Sequence, residues 1–388
     1  MNIYQELGVE PLINASGSMT TLGGSLMPRE VTAAMVAASQ HFVDMHELHR
    51  AAGCRIAELV GVEAAHVCAC ASAGITLMAA ACMAGTDQAR ITRLPVTLGM
   101  KNRFIVHQAH RNPFDHAVQV AGGEFMEIAA EVGELESALE DDEIAAVCYT
   151  YAWFCAREAL PLAEVVQVAR DYGVPVIVDA AGQVPPAENL SRFVAEGSDL
   201  VVFSGGKSIR GPQSSGVILG RGDLIEACAL NDSPHVECIG RGMKAAKEEI
   251  VGLVKAIELY LQKDHGAEMA LWEERVAAIR AILATIPGLS AERAVPVGIG
   301  YLIPYVAVAW DERELGVAHE LVARRLREQE PRIVVRLVDP RTPGIDRPQT
   351  WLHVHSLQEG EEVVVAERMR QVLLELACWQ RTEPPEDR

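Results

Sequence analysis

Lys207 is the residue on which chemistry turns. It follows an apolar run, Leu200 to Phe203, and then Ser204, Gly205 and Gly206. The run predicts a buried strand ending in a loop. Two glycines put no side chain beside the lysine, so a planar ligand can approach the backbone. A lysine held at a strand end in partly apolar surroundings sheds its proton more readily and becomes a nucleophile. Taken alone, the segment reads more readily as a surface lysine in a glycine-rich turn. Three further groups reverse that.

Asp179 ends the Val/Ile-rich run Val174 to Val178. In a parallel sheet the carboxyl ends of strands are where ligands bind, and a carboxylate there can keep a ring nitrogen protonated. Ser72-Ala73-Gly74 opens an Ala-rich helix predicted over 75–84. Free amides and the helix dipole make such a start an anion site, although an ordinary N-cap serine explains it equally well. The loop Gln108 to His116 holds His110, a flat ring able to stack on a cofactor, and Arg111.

A phosphate site, a carboxylate and a strand-end lysine are the parts that hold pyridoxal phosphate, with Ser204 adding a phosphate hydrogen bond. Gly-Lys-Ser at 206–208 hints at a nucleotide P-loop. That motif needs a glycine six residues before the lysine, where Val201 stands. No G-x-G-x-x-G follows a strand, so dinucleotide binding and a non-enzymatic nucleotide-binding role are both disfavoured.

The elements that must position these groups alternate between strands and helices as far as about residue 250. That pattern predicts an α/β domain with a mostly parallel sheet and helices on both faces. A smaller α+β domain follows. It has helices near 269–285, 318–328 and 361–379 and strands near 301–309, 333–337 and 351–355. The polar tail, 381–388, is expected to be disordered. The divisions are expected at 1–40, 41–250 and 251–388, the first segment serving the small domain and a dimer interface.

The chain has 388 residues and a formal net charge of −19. That charge opposes nucleic acid or an anionic membrane as partner. No apolar run is long enough to span a bilayer, and Met1 to Pro11 lacks signal-peptide features, so the cytoplasm is expected. The nine cysteines form no C-x-x-C pair and read as small buried hydrophobes in a reducing compartment. His41, His46 and His49 lie along one stretch, but metal binding needs more ligands, so no metal is expected.

The run Phe203 to Gly216, the run Val176 to Gln183, the glycine-rich Gly17 to Ser25, Phe42-Val-Asp-Met and His110 to Val118 resemble one family. It is the selenocysteine-synthase-like group of pyridoxal phosphate enzymes, fold type I, and within it the D-glucosaminate-6-phosphate ammonia-lyase type. The acidic charge supports that branch over the tRNA-acting one. So does a chain that begins close to the recognisable core.

The resemblance implies a large domain with a seven-stranded sheet, a small C-terminal domain, and a homodimer or larger with active sites at the subunit interface. It implies Lys207 as covalent anchor, Asp179 at the ring nitrogen, and Ser72, Ala73, Gly74 and Ser204 at the phosphate. Gln183 and His110 also fall at the cofactor. Arg336 would bind a substrate carboxylate, with His46 and Arg111 near the substrate. The implied reaction is a C–N lyase acting on a small amino acid or amino-sugar acid, giving a 2-oxo acid and ammonia. A racemase or aminotransferase on the same scaffold is the alternative.

Overall fold

A computed structural model describes residues 2–152, 154–155, 158–296 and 302–382. Twelve strands appear in chain order. They are β1 (Ile13–Ala15), β2 (Ala64–Cys68), β3 (Arg103–His107), β4 (Glu124–Ile128), β5 (Ile144–Thr150) and β6 (Val176–Asp179). Then come β7 (Leu200–Ser204), β8 (Gly216–Gly220), β9 (Leu289–Ala294), β10 (Tyr305–Trp310), β11 (Ile333–Val338) and β12 (Gln349–His353).

The described residues form two compact units, one of 24–152, 154–155 and 158–263, the other of 2–23, 264–296 and 302–382. Divisions are expected after residues 40 and 250, whereas the chain passes between units after Gly23 and after Lys263. The helix Arg29–Ser39 therefore sits in the larger unit.

The larger unit is built on a seven-stranded sheet in the order β2-β8-β7-β6-β5-β3-β4. Strands β7, β6, β5, β3 and β4 pair in parallel, and β8 runs antiparallel to both its neighbours. The fold is therefore the α/β type expected, with one reversed strand inside the sheet. Both faces are covered, as parallel strands require. Val201, Phe203, Val178 and Leu219 pack into one core cluster; Leu200, Val202, Ile177 and Ile218 pack into the other. Alternate residues thus feed opposite layers, the period of two that a strand imposes.

The helix Ala71–Ala84 begins four residues earlier than the sequence suggested and is buried nearly all round. Gly74 explains its closeness to the sheet: a Cβ there would lie 2.6 Å from Val202 Cγ2 and 3.1 Å from Cys68 Sγ. Strand β4 was not foreseen. It is a sheet edge, and its glutamates at 124 and 127 are exposed, as edge strands that avoid further pairing are.

The second unit has a five-stranded sheet in the order β1-β11-β12-β10-β9, antiparallel except for β1 against β11. The helices His265–Leu283, His319–Glu328 and Glu361–Thr382 accompany it. The expected strand start at Tyr301 and residues 383–388 of the tail expected to be disordered lie outside the described residues, while Arg381 and Thr382 of that tail end the last helix.

Candidate active site

Asp179 is the last residue of β6, and β7 beside it leads directly into Lys207. The parallel register sets Asp179 against Val202, so both groups emerge at the carboxyl edge of adjacent strands. Burial pushes the Asp179 carboxyl up from its ordinary value. A hydrogen bond from the Ala181 amide to Oδ1 (2.9 Å) and the positive charge of Lys207 pull it back down. A lysine and a carboxylate that feel one another at a strand edge are a functional signature.

Gly182 stands next to the amine. A Cβ built on it would lie 3.5 Å from Lys207 Nζ, so glycine keeps that flank open. Gly182 lies in the run Val176 to Gln183, and no local sequence signal marks its place beside the amine. The two glycines before the lysine have a different reason from the one first expected. A Cβ at Gly205 would reach within 2.1 Å of Ser215 Oγ and 2.6 Å of Leu253 Cδ1; one at Gly206 would sit 2.6 Å from Gln213 Cα. These glycines let the chain fold back into β8.

Gln183 is buried. Its Nε2 donates to the Tyr151 carbonyl (3.0 Å), while its Oε1 has no partner. A buried acceptor left unpaired one turn after Asp179 fits a site that receives a polar ligand. Asp179 also lines a small cavity with Cys148, Tyr149, Thr150, Ile177 and Asn112.

The helix start differs in detail from expectation. Cys70 is the N-cap, its Sγ 3.4 Å from the Ala73 amide, so Ser72 falls in the first turn with its side chain exposed. Ala73 and Gly74 are buried against the sheet. Ser204 ends β7 half-buried, its amide donating to the Ala181 carbonyl (3.2 Å).

His110 is buried edge-on to Tyr149, ring centres 4.6 Å apart, and its Nδ1 accepts a hydrogen bond from the Thr150 amide (3.4 Å). Burial first, then His107, hold its pKa down to about 4, so the ring is neutral near pH 7. Arg111 pairs with Asp115 and Glu127 and lies over the Phe125 ring. His46 is exposed, its ring 4.8 Å from that of His235. His49 is instead drawn inside, stacked 5.1 Å from His66, which contacts Asp232 at 2.9 Å. Among the described residues no group of His, Cys, Asp and Glu is arranged to hold a metal ion. Arg336 lies on β11 of the second unit, its Nε donating to the Ser16 carbonyl (3.0 Å).

The comparisons decide the family. A protein 36% identical over 96% of this chain and 92% of its own is the 5'-C-glycyluridine monooxygenase-decarboxylase of a Streptomyces species. The D-glucosaminate-6-phosphate ammonia lyase of Salmonella typhimurium is 33% identical over 96% of this chain and 98% of its own. The chain belongs to the selenocysteine-synthase-like group of fold type I enzymes, whose cofactor is pyridoxal phosphate. The model of the family SelA, L-seryl-tRNA selenium transferase, matches residues 150–282, which contain Asp179 and Lys207. A solved D-glucosaminate-6-phosphate ammonia-lyase superposes with a TM-score of 0.82 at 32% identity, covering 97% of this chain and 99% of the other. A serine palmitoyltransferase from S. paucimobilis, at 14% identity and a TM-score of 0.61 over 95% of this chain and 88% of its own, shares the fold alone.

Proposed function

We propose that this enzyme is a C–N lyase that removes ammonia from a hydroxylated 2-amino acid and leaves a 2-oxo acid. The carrying observation is the Asp179–Lys207 pair at adjacent strand ends, within a chain that matches an ammonia lyase over 96% of its length. The buried Gln183 acceptor and the flank left open at Gly182 fit a ligand there.

In this reading Lys207 is the covalent anchor, Asp179 holds the proton of the ring nitrogen, and Ser72, Ala73, Gly74 and Ser204 receive the phosphate. His110 and Gln183 border the ring. Bound pyridoxal phosphate supplies an aldehyde that takes up amines and a ring that accepts an electron pair. Once its amine is free, Lys207 takes the proton from the substrate Cα. The β-hydroxyl leaves as water, and a second water hydrolyses the resulting enamine, supplying the keto oxygen while ammonia departs. No oxidant is consumed. Arg336 binds the substrate carboxylate, with His46 near the substrate entrance. Arg111 holds the loop that carries His110 through its two carboxylate partners.

The enzyme works on a small molecule, as a homodimer or larger, in the cytoplasm. The net charge of −19 supports a partner other than nucleic acid. No helix among the described residues is long and apolar enough to cross a membrane.

The test is a panel of D- and L-amino acids and amino-sugar acids, phosphorylated and not, given to the holoenzyme. Ammonia and 2-oxo acid must appear in equal amounts. Inversion of configuration without ammonia would replace the lyase by a racemase. Carbon dioxide release with oxygen uptake would place the enzyme with the Streptomyces relative.

A further inference from the structure

The second unit contains a polar cluster that none of the roles above uses in full. Register places it. On β10 and β12 Tyr305 faces His353, and on β11 and β12 Arg336 faces Trp351. Residues opposite one another or two apart share a sheet face. Tyr305, Trp351, His353 and Arg336 therefore stand on one face. The Tyr305 ring stacks 5.2 Å from His353 and lies 4.5 Å from Trp351. His355, just past the strand, meets His353 edge-on at 5.7 Å and Trp272 at 6.3 Å.

The turn after β1 closes the cluster. Asn14 fixes it, accepting from the Ser16 amide (2.9 Å) and donating to the Gly17 carbonyl (3.0 Å). Gly17 has φ +89°, and a Cβ on it would fall 3.3 Å from His355 Cε1 and 3.4 Å from His353 Cγ. Its backbone thus comes close to both imidazoles. The Ser16 carbonyl next to it accepts from Arg336 Nε.

Inside this enclosure both ring nitrogens of His353 and Nδ1 of His355 are buried without a hydrogen-bond partner. His353 is only 5% exposed. Unpaired buried polar atoms are costly, and a polar ligand would satisfy the three that adjoin here. The chemistry of that ligand follows from charge. Burial and the neighbouring Arg336 both disfavour a second cation, so both imidazoles are neutral. A neutral imidazole presents one donor and one acceptor. A carboxylate or phosphate oxygen satisfies only the donor. A hydroxyl satisfies either.

We infer that His353 and His355 are specificity-determining residues that bind hydroxyl groups on the carbon chain of a substrate whose carboxylate rests on Arg336. The inference rests on the hydroxy-amino-acid lyase reading above and deepens it by assigning the residues that read the substrate's hydroxyls.

The experiment uses the holoenzyme and two matched pairs: D-glucosaminate against D-norleucine, and L-threonine against L-2-aminobutyrate. Each pair shares a carbon skeleton and differs in hydroxyls. Dissociation constants are read from the change in cofactor absorbance on titration. In one pair the hydroxylated member binds at least about tenfold tighter, the cost of leaving buried polar groups unpaired. His353→Phe keeps the ring and removes its nitrogens, and it reduces that preference to about twofold or less by weakening the hydroxylated member alone. His355→Asn is measured in the same way and carries the test if His353→Phe does not fold.

An unchanged preference in both variants, with His353→Phe melting higher than wild type, makes these core histidines and overturns the inference. So does a wild type without any preference. Ammonia and 2-oxo acid are assayed in parallel. Turnover with an unchanged preference sinks this inference alone, whereas no ammonia from any amino acid sinks the lyase reading and leaves the binding result to stand or fall separately.

Discussion

The carboxylate of Asp179 and the amine of Lys207 reach the same sheet edge from neighbouring parallel strands, and the lysine charge lowers the cost of burying the carboxylate. A buried carboxylate pushed up by desolvation disfavours its own ionised form. Its folded value exceeds the ordinary 3.8, so the native state holds more protons than the unfolded chain. Stability contributed by Asp179 is therefore present at low pH and falls as pH rises from 3.8 towards the raised value. Asp179→Asn should raise the melting temperature of the cofactor-free protein at pH 7 and lower kcat by about 10²-fold or more. Calorimetry and ammonia release check the two halves. A lower melting temperature would show that the carboxylate stabilises the apo fold.

Gly182→Ala and Gly205→Ala separate a glycine kept for the site from one kept for the fold. The added methyl at 182 meets Lys207 Nζ at ordinary contact distance, 3.5 Å. The fold should be unchanged or stabilised by about 0.4–1 kcal/mol through the unfolded state, while cofactor bonding, followed by absorbance, slows. The methyl at 205 collides with Ser215 and Leu253 and should destabilise by about 1–3 kcal/mol in urea melts.

Arg210, three residues after Lys207, has φ +59°, the one non-glycine residue with positive φ among those described. Its Nε donates to the Leu26 carbonyl at 2.8 Å. Both Arg210→Gly and Arg210→Ala lose that bond, but only glycine relieves the backbone. Arg210→Gly should therefore be more stable than Arg210→Ala by about 1 kcal/mol. Equal stabilities would show that the turn relaxes in both.

His110 and His319 are both held down to about 4 by burial. Each is neutral when folded and takes a proton in the unfolded chain below its ordinary 6.5. Stability should accordingly fall as pH drops from 6.5 to about 4. His319 stacks 3.4 Å from Trp310 and its Nδ1 meets Thr350 Oγ1 at 2.8 Å. His319→Gln should make that acid limb shallower by about one proton, measured as the slope of unfolding free energy against pH. An unchanged slope would place the titration elsewhere.

Sequence alone determined the parts whose physics is local. Apolar runs closed by small or charged residues marked the strands into Asp179 and Lys207, because the period and length of a buried strand are written in consecutive residues. Helices ended where glycines such as Gly61 allow a left-handed backbone. Only the tertiary structure decided what depends on a neighbour distant in sequence. The apolar run Val217 to Leu219 marks a strand without giving its direction, and the antiparallel placement of Gly216–Gly220 comes from pairing with β2 and β7. Gly74 and Gly205 are glycines because Val202 and Ser215 pass close by. His353 and Arg336, seventeen positions apart, become neighbours through the register of two strands. Chain chemistry names the reactive groups, while pairing across the sheet settles which of them face one another and which atoms are left for a ligand.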